Sequence, residues 1–262
     1  MKPRETIKKS IALPVLWIGA LLGGCEDTPT PKVMTGTEPK PRIAFTVSDL
    51  SLEMLWCPPG TFQAGSPADE ESRDFDEILR EVTLTNGFWL GKHEVTQTQW
   101  EKVMGNNPSH FKGPDLPVEK ISWDGAMTFC KKLTERERKV GRLPKGWEYE
   151  LPTEVHWEYA CRAGTKTAWS FGNSPAGMPK NANFSDKSSK IQGNDIDYDD
   201  GFEYTAPVGS FPPNEWGFHD MHGNVFEWCS NWYEKPTSMA VRDPLGPTVG
   251  TEKVFRGGSW AL

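Results

Sequence analysis

Cysteine, histidine, positive charge and long apolar runs are all in short supply in this chain of 262 residues. Five cysteines occur without any CxxC pair, so a zinc-finger or thioredoxin-like motif is excluded. The longest apolar run, Ile11–Leu22, falls well short of the ~20 residues that span a bilayer. Acids outnumber bases 36 to 29, which argues against nucleic acid and against electrostatic docking on anionic lipid. There is no serine-nucleophile elbow, no Walker sequence, no dinucleotide fingerprint and no repeat of 20–50 residues. Gly257-Gly258 belongs to a strand and turn rather than to a phosphate loop, because no helix follows it.

What is present begins with a basic amino terminus, carrying Lys2, Arg4, Lys8 and Lys9 ahead of the apolar run. That order reads as a bacterial signal peptide over residues 1–24. Leu22-Gly23-Gly24-Cys25 resembles a lipobox, which predicts lipidation of Cys25 and an exported lipoprotein facing the periplasm or cell exterior. Loss of the leader removes four bases and one acid, turning a net charge of −7 into −10. Residues 25–43 are rich in Pro, Thr and charge and read as a flexible tether. Residues 44–262 suffice for one domain with a sizeable core.

Twelve Trp, 25 Gly and 22 Pro in that chain predict a loop-rich, mixed α/β fold pinned by aromatic anchors. MLWCPPGTFQAGS reads as a short hairpin about its Pro-Pro-Gly turn, and VTLT and GFWLGKHEV read as strands. Three helices are predicted. The first starts at Thr96 with Gln99 completing a capping box and stops at Gly105. The second starts at Ser122, buries Ala126, Phe129, Cys130 and Leu133, and ends at Gly141. The third opens at Pro152-Thr153 and ends before Gly164, with His156 where a capping acid would stand. Cys130 and Cys161 read as small core residues. Spacing assigns no disulfide partners, and free buried thiols are an equal reading.

From Ala168 onward periodicity fades, yet a structureless loop of this length is unusual in a compact domain. Its Asn, Asp and Gly content points to a hard cation as organiser. In DMHGNVFEW, the Asp220 and Glu227 carboxylates and the Gly223 and Val225 carbonyls form one candidate oxygen set. Asn183 with the Phe184 carbonyl, and Asp200 with the Phe202 carbonyl, form a second. The competing reading of each is a surface turn with solvated acids. His219-x-x-His222 is a weak metal signal, with hydrogen-bonded or exposed imidazoles the plainer reading. Arg256 is expected to pair with a core acid.

The segments GKHEVTQTQW, LPTEVHWEYACRAGT, TAPVGSFPPNEWGFHDMHGNVFEWCSNWY and VFRGGSW together resemble the sulfatase-modifying factor family, best known for formylglycine-generating enzymes. The resemblance implies a C-type-lectin-like fold and matches both oxygen sets to the family's calcium sites. It also implies an oxidase that converts a sulfatase cysteine to formylglycine with dioxygen, using a copper(I) cysteine pair located shortly after the GGS motif. Here Gly257-Gly258-Ser259 is followed only by Trp260-Ala261-Leu262, so the expectation is a domain with its last strands and copper cysteines missing and no catalytic residue to assign. Copper would enter only with a complete carboxyl terminus. Two functions stay open: a lipid-anchored, calcium-stabilised binding module for a sulfatase-like peptide or a carbohydrate, or a formylglycine-generating oxidase whose catalytic segment is lost. Neither calls for nucleic acid.

Overall fold

The computed structural model describes residues 11–12, 17–20, 42–71, 73–188 and 198–262. Cys25 and nearly all of the expected tether lie outside them, as does most of the expected leader. Of that leader only two backbone strands are described, β1 (Ile11–Ala12) and β2 (Trp17–Ala20). No described helix is long and apolar enough to cross a membrane.

Three small sheets and few helices form the domain, in keeping with a mixed, loop-rich α/β composition. The largest sheet runs β3 (Phe45–Val47), β4 (Leu52–Cys57), β7 (Phe88–Gly91), β2, β8 (Trp147–Glu150). A second runs β10 (Val241–Arg242), β6 (Arg80–Leu84), β5 (Gly60–Ala64), and a third β1, β9 (Phe226–Trp232), β11 (Lys253–Arg256). The expected hairpin about Pro58-Pro59-Gly60 is therefore corrected. β4 pairs with β3 and β7, whereas β5 pairs with β6, so the prolines hand the chain from one sheet to another instead of folding it back on itself. Pro lacks the N–H that a tight ladder would use, which favours such a crossing.

The three helices form where their caps dictate. α1 (Gln97–Met104) has Thr96 as N-cap in a reciprocal capping box with Gln99, and Gly105 closes it in the left-handed region at φ 82°. α2 (Trp123–Lys139) is capped by Ser122. α3 (Glu154–Arg162) is capped by Thr153, whose Oγ1 sits 2.7 Å from His156 Nδ1. The imidazole meets the capping hydroxyl itself, whereas a capping-box acid would hold the N-cap backbone N–H, and burial depresses its pKa to about 4, keeping the ring neutral. A 3₁₀ turn (Pro175–Gly177) and a short α4 (Met178–Asn181) follow in the stretch where no periodicity was readable.

Two apolar clusters fill the interior. One gathers Trp89, Trp100, Val118 and Phe129 between the large sheet, α1 and α2, with the Trp100 and Phe129 rings stacked at 5.2 Å. The other gathers Phe88, Trp157, Phe218, Met221 and Cys229 around α3 and β9. Indoles bind the irregular parts to these cores: Trp123 Nε1 donates to the Cys229 carbonyl, Trp228 Nε1 to the Ile121 carbonyl, and Trp89 Nε1 to the Ile43 carbonyl. Large rings contribute burial and their N–H groups fix where each loop docks.

Thr96→Ala removes one arm of the α1 capping box and is expected to lower unfolding stability by about 1 kcal/mol in chemical denaturation. An unchanged midpoint would mean that the cap contributes nothing here.

Candidate metal centre

The turn that leads into β9 is bent by three residues in the left-handed region, Asp220 (φ 57°), Gly223 (φ 88°) and Asn224 (φ 55°). No side chain fits at Gly223, since a Cβ there would stand 2.0 Å from the Asn183 carbonyl oxygen. That approach is fixed from both sides. Asn224 N–H donates to the Asn183 carbonyl at 2.7 Å, and Gly223 N–H to the Gly257 carbonyl at 2.6 Å. The Asn224 side chain adds a hub, its Oδ1 accepting from Asn183 Nδ2 at 3.1 Å and from Ala206 N–H at 2.9 Å. Three loops distant in sequence are thereby joined beneath one turn.

Three carboxyl groups lie buried at this turn: Asp220, Glu227 and Glu94, the last with no exposed surface. Glu227 Oε2 accepts from Trp157 Nε1 at 2.9 Å, and Asp220 Oδ2 accepts from Gly209 N–H at 2.6 Å. Among the described residues no other group donates to Asp220 Oδ1 or to either oxygen of Glu94, and the two carboxyls face each other within hydrogen-bonding reach. Among the described residues no lysine or arginine pairs with Glu94 or Asp220. Burial pushes the Glu94 pKa well up, and the charges of Asp220 and Glu227 push it further. Burial likewise raises Asp220, against the Gly209 N–H that favours its anion. Buried like charges are costly, so the group must hold either a proton between Glu94 and Asp220 or a cation.

The donor chemistry fits a hard cation, because every available ligand atom is oxygen. Among the described residues no group of three or more His, Cys, Asp and Glu side chains is disposed to hold a metal by itself. A cation here therefore needs the Gly223 and Val225 carbonyls as well, which is the set read from DMHGNVFEW with Glu94 added.

The second oxygen set is organised differently. Asp200 accepts from Phe184 N–H and Phe202 N–H at 2.9 and 2.8 Å, and the Phe202 carbonyl accepts from Ser188 Oγ at 2.9 Å. Buried Asp186 helps to hold this loop by accepting from Ser188 N–H and Asp200 N–H. Asn183 contributes one buried oxygen without a partner, while its Nδ2 donates to the Tyr204 carbonyl. Most of this set is thus satisfied by protein groups, so it fits a metal less well than the first.

Cys57, Cys130, Cys161 and Cys229 are all buried and free, and burial raises each thiol pKa, that of Cys161 to about 12. None is a ready thiolate. His219 and His222 do not act as a pair: His219 Nδ1 meets the Phe211 carbonyl at 2.8 Å, whereas His222 Nε2 accepts from Ser170 N–H at 3.1 Å. Burial lowers the His222 pKa to about 4. Arg256 lies 3.9 Å from both Glu154 and Glu158, the acid partners expected for it.

A family model described as the sulfatase-modifying factor enzyme 1-like domain matches residues 44–262. This chain belongs to that family. Within the sulfatase-modifying factor family it is 32% identical to the chaperone protein LppX of Paenibacillus barcinonensis over 69% of this chain and 71% of that one. It is 34% identical to the mouse formylglycine-generating enzyme over 79% of this chain and 66% of the enzyme, and 33% identical to the Streptomyces coelicolor enzyme over 66% and 50%. The chain thus spans about two thirds and one half of these two enzymes. The PvdO structure from Pseudomonas aeruginosa superposes with a TM-score of 0.67 at 26% identity, covering 85% of this chain and 87% of that one. Treponema denticola variable protein 1 gives the same score at 28% identity, covering 84% and 88%.

Sequence reasoning missed Glu94 and Asn224. Glu94 sat inside GKHEV, read only as a strand, where an acid just past a fully buried strand was the available signal. Asn224 looked like an ordinary Asn after Gly, and only the fold reveals its three partners.

Two predictions follow from the turn and its acids. Gly223→Ala is expected to cost about 3 kcal/mol or more, read as loss of soluble folded protein or of the denaturation midpoint. Because burial and the neighbouring charges raise the Glu94 pKa in the folded chain, the stability tied to its protonated form is present at low pH and lost as pH rises above the ordinary carboxylate range. In chelator, stability is expected to fall as pH rises above the ordinary carboxylate range, and Glu94→Gln to flatten that slope. An identical slope in the variant would contradict the assignment.

Proposed function

We propose that this chain is an exported, lipid-anchored binding domain of the sulfatase-modifying factor family, with the family's C-type-lectin-like arrangement stabilised by calcium. The observation that carries the reading is the buried group Glu94, Asp220 and Glu227 under the Gly223 turn, whose oxygens require a positive charge and suit a hard cation. Asp220, Glu227 and the Gly223 and Val225 carbonyls would hold the ion, with Glu94 close by. Calcium, when bound, supplies charge neutralisation and crosslinks the turn. Asn183, Phe184, Asp200 and Phe202 are the second, weaker candidate set.

Polypeptide is the favoured ligand over carbohydrate. LppX, the relative from Paenibacillus, is named a chaperone, which is a protein-binding role. Cys25, outside the described residues, is the proposed lipid attachment point, and the membrane is then met through that anchor. The oxidase reading is kept for one observation, the 34% identity to an enzyme named for generating formylglycine. Against it, the four described cysteines are free and buried with raised thiol pKa values, which disfavours the thiolates that copper(I) takes.

Removing calcium with chelator is expected to lower the melting temperature, and Glu227→Ala to do so without chelator. Occupancy at 100 times the dissociation constant is worth about 2.7 kcal/mol, a shift of several degrees. A chelator-insensitive melting curve would overturn the calcium reading. Incubation with copper, dioxygen and a Cys-x-Pro-x-Arg peptide is expected to leave the peptide mass unchanged. A loss of about 18 Da, the difference between thiol and aldehyde, would instead establish the oxidase.

A further inference from the structure

β11 is the last strand of its sheet, paired with β9 on one side, and among the described residues no strand pairs with its other edge. Edge strands left open are sites where another extended chain adds. All four β11 residues, Lys253–Arg256, line a cleft of about 410 Å³ that also touches β5, the 74–80 segment, α3 and the 233–236 loop. A volume of this order is that of a ligand site.

The cleft is strongly acidic. Seven carboxylates line it, among them Asp74, Glu154, Glu234 and Glu252, against the three basic side chains Arg80, Lys253 and Arg256. Two of these bases are already engaged. Lys253 Nζ is drawn aside between the Trp123 and Trp232 rings, at 3.7 and 3.9 Å, and donates to the Ser230 carbonyl at 3.1 Å. Arg256 is flanked by Glu154 and Glu158 at 3.9 Å. Four of the acids are engaged as well, Glu158 by Arg162 at 2.8 Å and by Arg256, Glu154 by Arg256, Glu77 by Ser66 and Asp76 by Tyr233, so the uncompensated surplus is the exposed trio Asp74, Glu234 and Glu252. At the rim the 74–76 and 233–235 segments meet, through Tyr233 Oη donating to Asp76 Oδ2 at 2.6 Å and Lys235 lying 5.3 Å over the Phe75 ring. Phe75 is 78% exposed, an aromatic surface beside the acids.

We propose that this cleft binds an extended polypeptide segment bearing lysine or arginine, laid along the free edge of β11 with its basic side chains among the carboxylates. Backbone pairing supplies affinity without sequence preference, and charge selects the segment. The inference deepens the binding-domain reading and rests on it. It shares no residue with the carboxylate centre, so the two fail separately: chelation reads the melting temperature, and the following experiment reads binding in the presence of calcium.

Full-length protein is titrated into fluorescein-labelled Thr-Lys-Val-Arg-Thr-Lys and its counterpart Thr-Glu-Val-Asp-Thr-Glu, with anisotropy as readout. Saturable binding of the basic peptide is expected, weakening about tenfold or more between ~50 mM and ~500 mM salt, with none for the acidic one. The double substitution Glu234→Lys with Glu252→Lys is expected to weaken binding about tenfold or more while leaving the melting temperature in place. Hydrogen exchange at the β11 amides is expected to slow when the basic peptide is added. Equal binding of the two peptides, no binding of either, full affinity in the charge-reversed variant, or unprotected β11 amides would each overturn the proposal.

Discussion

Mutual repulsion among Glu94, Asp220 and Glu227 is the constraint around which the second half of this molecule is arranged. Carboxylates removed from water repel one another far more than at a surface, and among the described residues no lysine or arginine is paired with Glu94 or Asp220 to offset it. The turn that brings them together is itself strained, with two non-glycine residues in the left-handed region and Gly223 pressed against the Asn183 carbonyl. Strain and buried charge persist only where something over-determines the arrangement. The Asn183, Asn224 and Gly257 hydrogen bonds do part of this, and the calcium proposed above would do the rest.

The same turn joins segments that carry little regular structure. Asn183 begins the acidic loop, Ala206 stands near its end, Gly257 follows β11, and Trp260 N–H donates to the Asn224 carbonyl. The Trp260 ring packs edge-on against Phe111 and Tyr204, extending the joint to the loop after α1. The helical half needs no such device, because α1 and α2 bury Trp100 and Phe129 against the large sheet. One half is thus held by apolar burial, and the other by polar groups and indoles docked at chosen carbonyls. That division leaves β11 and its cleft at the border, on a sheet edge beside exposed acids and the exposed Phe75 ring.

Much of the helical half was legible in the sequence. Thr96 with Gln99, Ser122, and Thr153 each mark a helix start, because a side-chain oxygen must satisfy the first free N–H groups wherever a helix begins. The Pro58-Pro59-Gly60 turn misled, because a local turn signal does not reveal which sheet receives the next strand. Asp220 and Glu227 were legible as oxygen donors from their spacing about Gly223. Glu94 was not, since its role depends on a contact across 126 positions of sequence that no local period encodes. The His156 position was noted, but the contact of its neutral ring with the Thr153 hydroxyl and its burial against Phe88 emerge only from the fold.

The central claim is that the buried carboxyl group takes a calcium ion in preference to a proton. Isothermal titration of calcium into the chelator-treated, desalted chain at neutral pH tests it most directly, with Asp220→Asn as the comparison. The account predicts saturable binding with release of protons to the buffer, and its marked weakening in Asp220→Asn. Absence of any saturable heat, or an unchanged isotherm in that variant, would contradict it.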